Sequence, residues 1–146
     1  MSVDPAEVYG EIVLDHVRRP HHQGRLESAS GRADGFNPLC GDRVEVFVET
    51  ADGAVRDIAF EGEGCAISTA SASIMTDAVV GRPIAEARGA IARFLDAMTR
   101  SDEVTLPSDQ HALAHVRRLP MRVKCATLAW RAAEAALDQA EQGAAS

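Results

Sequence analysis

Cys40, Cys65 and Cys125 are the only three cysteines of the chain, and each stands where the sequence changes character. Cys40 lies in Asn37-Pro38-Leu39-Cys40-Gly41-Asp42, where Pro38 and Gly41 dictate a turn. Asp42, two residues on, can face a carboxylate toward the same ion as the Cys40 thiolate. Cys65 closes Glu61-Gly62-Glu63-Gly64-Cys65, whose glycines allow a sharp change of direction. Cys125 follows Leu119-Pro120 and is expected to open a helix, where a thiol is biased toward thiolate. Three thiolates and one carboxylate complete a tetrahedral shell suited to zinc. The same donors could hold an iron–sulfur cluster. A single cysteine can equally pack as a small apolar group, and no CxxC pair is present, so spacing alone leaves both readings open.

These residues need a scaffold. The 146 residues suit one domain over 1–146, with 1–5 and 142–146 expected to fray. Aromatics are 4% of the chain, so Ala, Val, Ile, Leu and Met must build the core. Fifteen Lys+Arg against 22 Asp+Glu give a net charge of −7, which argues against nucleic acid as a partner. The N-terminal residues show no basic-then-apolar leader pattern, and no apolar run approaches the ~18 residues that would span a bilayer. The odd cysteine count speaks against a secreted disulfide framework and for the reducing cytoplasm.

The first helix is expected from Asp4 as cap and Pro5 as first residue, with Val8, Tyr9, Ile12, Val13 and His16 on one face. Arg19-Pro20 ends it. Arg43–Thr50 alternates as a strand, Asp52-Gly53 signals a hairpin, and Val55–Phe60 is the return strand. A preceding strand is expected around Leu26–Ala33. A helix follows from Ala66 to a stop at Gly81, Pro83 opens the next, and a last one begins near Cys125. Residues 101–120 are expected to be loop with one short helix. The order predicts an α+β fold: a small antiparallel three-stranded sheet, helices packed on one face, and the metal site at one end.

The segments around the cysteines go further. Asn37-Pro38-Leu39-Cys40-Gly41-Asp42-Arg43 resembles the NPxCGD signature of the U-type iron–sulfur assembly proteins. Gly64-Cys65-Ala66-Ile67-Ser68-Thr69-Ala70-Ser71 resembles their second signature, and Arg122-Val123-Lys124-Cys125-Ala126 their third. The resemblance runs from about Val8 to Leu137. Sixty positions separate Cys65 from Cys125, and Lys124 stands where the scaffold branch has histidine; both are similar to the SufU-type branch. Leu119-Pro120-Met121 lacks the doubled proline of a chaperone-recognition segment. The resemblance implies a zinc-dependent sulfurtransferase that accepts persulfide sulfur from a SufS-type cysteine desulfurase and passes it to a SufBCD-type cluster-building complex. It implies Cys40 as acceptor and Cys40, Asp42, Cys65 and Cys125 as metal ligands. Arg122 and Lys124 are candidates for steering the sulfur. The alternative it allows is a scaffold that binds iron and carries an iron–sulfur cluster.

Other residues are weaker candidates. His21 and His22 could bind metal, although a solvated loop pair is the simpler expectation. His111 and His115 have i, i+4 spacing without a third ligand, which suits a polar helix face. Ser68, Ser71 and Ser73 have no histidine base in the neighbouring sequence and suit close helix packing. Arg18, Arg19, Arg117 and Arg118 are expected to be surface charges.

Overall fold

The computed structural model describes residues 5–99 and 105–145. The expected cap Asp4 lies outside them. The elements are α1 (Pro5–Arg18), β1 (Gly31–Asn37), β2 (Asp42–Ala51), β3 (Ala54–Glu63), α2 (Ala66–Val79), α3 (Ile84–Thr99), a 3₁₀ helix (Ser108–Arg118) and α4 (Pro120–Ala145). The strands form one antiparallel sheet in the order β1-β2-β3, so the fold is α+β as predicted.

Alternation in β2 sets the core. Val44, Val46 and Val48 are buried among helical side chains, whereas Arg43 is exposed and Glu45 and Glu49 are half-buried. Phe47 breaks the expected polarity of that second face. It is buried because the guanidinium groups of Arg25 and Arg32 lie over its ring, at 4.9 and 5.7 Å from its centre. Asp52 and Gly53 both take positive φ, 54° and 77°, as a two-residue hairpin requires.

Three boundaries differ from expectation. The first strand lies at Gly31–Asn37 rather than Leu26–Ala33. Its glycines are fixed by α4: a Cβ on Gly31 would stand 2.2 Å from the Ala136 carbonyl oxygen, and one on Gly35 would stand 2.9 Å from Leu128. A strand shaped by close approach lacks the alternation that betrays strands in sequence. The last helix starts at Pro120, five residues earlier than expected, because proline suits a first helical position. It also extends to Ala145, past residue 142 where the tail was expected to begin.

The helices meet along a seam. Ser71 on α2 donates to the Ala126 carbonyl oxygen on α4 at 2.5 Å, and the Trp130 indole N–H donates to Ser71 at 2.9 Å. Trp130 is fully buried and stacks on Phe94 of α3, with ring centres 3.9 Å apart. Burying an aromatic of this size is worth about 4–6 kcal/mol before its entropy is counted. Ser68 and Ser71 are buried, as close packing of α2 demands. No helix of the described residues is long and apolar enough to cross a membrane.

Candidate metal centre

The sheet brings the first two donors to one end. Asn37 and Asp42 are paired partners at the ends of β1 and β2, and the four residues between them form a tight loop. Gly41 closes it with φ +71° and donates its N–H to the Asn37 carbonyl at 2.8 Å. The loop leaves Cys40 exposed at its tip, while Asp42, the first residue of the strand, is wholly buried.

The second approach comes from β3. Gly62 pairs with Val44 so closely that a Cβ there would stand 2.1 Å from the Arg43 carbonyl oxygen. Gly64 passes beside the Asp42 carboxylate, where a Cβ would lie 2.7 Å from Oδ1. Cys65 then caps α2 in extended conformation and donates its backbone N–H to Asp42 Oδ1 at 2.9 Å. The other oxygen, Asp42 Oδ2, is buried and has no hydrogen-bond partner among the described residues.

The third approach is α4. Cys125 is its sixth residue rather than its first, so it lies past the turn where the helix dipole acts. The expectation of a thiolate favoured by the helix N-terminus therefore does not hold. Burial pushes the Cys125 thiol well above its ordinary range, and Asp42, Cys40 and Cys65 beside it push further. Its sulfur lies 3.4 Å from Cys40 Sγ and 3.7 Å from the Met121 carbonyl oxygen.

Cys40, Asp42 and Cys125 thus offer ligand atoms that all lie within 4.8 Å of one another. Cys65 borders this trio without joining it so tightly; its backbone and its effect on Cys125 place it alongside. The donor set fits zinc. A buried carboxylate oxygen without a partner is costly, and the buried Cys125 thiol beside it is hard to deprotonate. A divalent cation relieves both by accepting the oxygen and replacing the thiol protons.

Family comparison decides the kinship. The NifU-like N-terminal domain model matches residues 8–144. The chain belongs to that family. It is 41% identical over 133 residues to the iron–sulfur cluster assembly scaffold protein IscU of Streptococcus pyogenes serotype M1, covering 89% of this chain and 82% of that protein. It is 40% identical over 139 residues to the zinc-dependent sulfurtransferase SufU of Bacillus subtilis strain 168, covering 93% of each. Its fold matches the crystal structure of a candidate SUF-system scaffold protein from Fervidobacterium islandicum AW-1 with TM-score 0.81 and 30% identity, over 92% of this chain and 99% of that one.

In this family member the site also uses a residue that sequence reasoning overlooked. Asn37 is buried, turns its amide nitrogen toward Cys125 Sγ at 3.9 Å, and accepts the Leu39 N–H on its Oδ1 at 3.2 Å. Its place at the head of the Asn-Pro-x-Cys segment was the available signal. Arg122 and Lys124 are exposed on the first turns of α4. His111 and His115 both lie on the 3₁₀ helix Ser108–Arg118 rather than on an α-helix. Ser73 does have a histidine: His16 Nδ1 lies 2.7 Å from its Oγ. Ser73 is fully buried, so this corrects the missing partner without making a nucleophile. Arg18, Arg19 and Arg118 are exposed and Arg117 is half-buried.

Proposed function

We propose that this protein serves iron–sulfur cluster assembly as a zinc-dependent sulfurtransferase, with Cys40 as acceptor and Asp42, Cys65 and Cys125 as the remaining zinc ligands. The observation that carries the reading is the pairing of an exposed Cys40 with a buried Cys125, 3.4 Å apart. One sulfur can reach a partner while the other stays in the fold. Zinc, when bound, keeps its sulfur ligands deprotonated and gathers them. Asp42 is a hard oxygen donor that can loosen its hold while Cys40 is engaged elsewhere.

The residues then divide the work. The Cys40 thiolate attacks the outer sulfur of a persulfide on the partner's cysteine. A bond forms between Cys40 Sγ and that sulfur, the partner's S–S bond breaks, and the partner's cysteine leaves as thiolate. The sulfane sulfur changes carrier without net oxidation. The partner is a SufS-type cysteine desulfurase, and a SufBCD-type complex is the onward acceptor. A docking surface is at hand: of the five large exposed hydrophobics among the described residues, Phe36 and Leu39 flank Cys40, and Leu119 and Met121 precede Cys125. Exposed apolar side chains gathered at one end of a molecule mark interaction sites.

The second reading is a scaffold on which an iron–sulfur cluster forms. It is favoured by the name of the Streptococcus relative, whose identity to this chain equals that of the sulfurtransferase within a percentage point. Lys124 and the sixty-residue separation of Cys65 from Cys125 favour the first reading. The test is zinc-loaded protein added to its desulfurase. Cysteine turnover should rise strongly, one extra sulfur should map to Cys40, and Cys40→Ala should abolish both. Full stimulation by Cys40→Ala, or an air-stable brown cluster on these cysteines in place of zinc, would overturn the assignment.

A further inference from the structure

Three of the five histidines gather at the junction of α1, the loop after it and α2. His16 is buried on α1; its Nδ1 lies 2.7 Å from Ser73 Oγ and its Nε2 lies 2.7 Å from Asp109 Oδ2 on the 3₁₀ helix. His21 Nδ1 lies 2.5 Å from Asp77 Oδ2. His22 Nδ1 lies 2.9 Å from Thr76 Oγ1 and 3.6 Å from the other Asp77 oxygen. The pair is therefore not simply solvated, as the sequence suggested. The His16 and His21 rings stand with centres 4.6 Å apart. One nitrogen of each and one Asp77 oxygen all lie within 4.8 Å of one another.

The backbone is built to hold this arrangement. Side chains of consecutive residues in an extended segment point opposite ways. His22 takes φ +58°, which reverses the loop and lets both imidazoles reach Asp77. The His21 N–H donates to Ser73 Oγ at 2.7 Å, and the Phe60 N–H donates to the His22 carbonyl at 3.0 Å. Left-handed backbone is uncommon for a residue with a side chain, so the loop takes an unfavourable conformation to bring both imidazoles to one carboxylate.

We propose that His16, His21 and Asp77 form a second metal site, for a divalent first-row transition ion, independent of the cysteines. Two imidazoles and one carboxylate suit zinc, cobalt or ferrous iron, whereas magnesium and calcium prefer oxygen donors throughout. Whichever nitrogen His16 gives to the ion, the other keeps an oxygen partner, Ser73 or Asp109, as metal-bound histidines do. The site is half open: His21 and Asp77 have side chains 49% and 41% exposed, so an ion can enter from solvent. Bound there, it pins the post-α1 loop to α2.

The test uses full-length protein whose cysteine site is already filled with zinc, titrated with Co²⁺. One further equivalent should bind, giving visible d–d bands without the near-ultraviolet thiolate-to-cobalt band, and excess Mg²⁺ should not displace it. His21→Ala and Asp77→Asn change exposed side chains, so both should fold. Each should weaken that equivalent by about 10-fold or more while keeping the cysteine-held zinc. Added Co²⁺ should raise the melting temperature of the wild type alone. No further equivalent, thiolate bands only, or undiminished binding in both variants would overturn the proposal. Loss of sulfur transfer in Cys40→Ala leaves it untouched, so the two sites fail separately.

Discussion

The two sides of the cysteine site are built on opposite terms. Cys125 is buried on a 26-residue helix, with Asn37 against its sulfur and Trp130 locked into the core a little over one turn further on. Cys40 sits exposed on a four-residue loop, and the Gly41 behind it has open space where a Cβ would be. One sulfur is placed by tertiary packing and the other by a turn. On the proposed function, one ligand must hold and the other must leave, and the fold gives each a different kind of support.

The largest expected effect breaks the packed side. Trp130→Ala removes the ring stacked on Phe94 and orphans Ser71's share of the seam between α2 and α4. Truncating a buried aromatic costs about 3–5 kcal/mol. For a chain of this size that is a fall of roughly 6–20 °C in melting temperature. Zinc content should fall with it, because the helix that carries Cys125 loses its anchor. A variant that melts like wild type would show that α4 is not the rigid half.

Zinc removal strikes both sides at once and should cost somewhat less. A ligand present at a thousand times its dissociation constant stabilises by about 4 kcal/mol. Complete chelation should therefore lower the melting temperature by roughly 8–16 °C. It should not unfold the protein, because the core of β2, β3, α2, α3 and α4 is complete without the site. Calorimetry before and after chelation checks this. Identical melting after full removal would mean that the cysteines and Asp42 do not hold a metal that supports the fold.

The same contrast explains what sequence reading could and could not reach. The turn side was legible, because Pro38 and Gly41, like Asp52 and Gly53 at the far end of β2, act through local backbone rules that need no knowledge of the rest of the chain. The long helices were legible too, since Ile74, Ile91 and Phe94 recur on buried faces. The packed side was less so. Gly31 and Gly35 are dictated by a helix about a hundred residues later in sequence, which leaves no periodic trace in β1. Phe47 is covered by two arginines from outside its strand. His16 and Ser73 meet across 57 positions, so their pairing was invisible locally. Asp42 was legible as a donor through its motif, whereas its orphaned Oδ2, the strongest physical sign that a cation belongs there, exists only once three elements have converged.

The smallest effect isolates the turn. Gly41→Ala places a Cβ where nothing lies within 4 Å, so packing is undisturbed, but the residue must keep φ +71° or the loop must change shape. The left-handed region costs an alanine about 1–2 kcal/mol, a loss of roughly 2–8 °C in melting temperature. Sulfur acceptance should suffer out of proportion to that small change, since an altered loop moves Cys40 relative to both the ion and the partner. Gly41→Asn is the control, because asparagine tolerates this conformation better than alanine does. It should recover sulfur acceptance along with stability. Equal acceptance by the alanine, asparagine and wild-type proteins, measured as persulfide formed on Cys40 under single-turnover conditions, would show that the exact shape of the turn does not matter and that exposure of the thiol alone suffices.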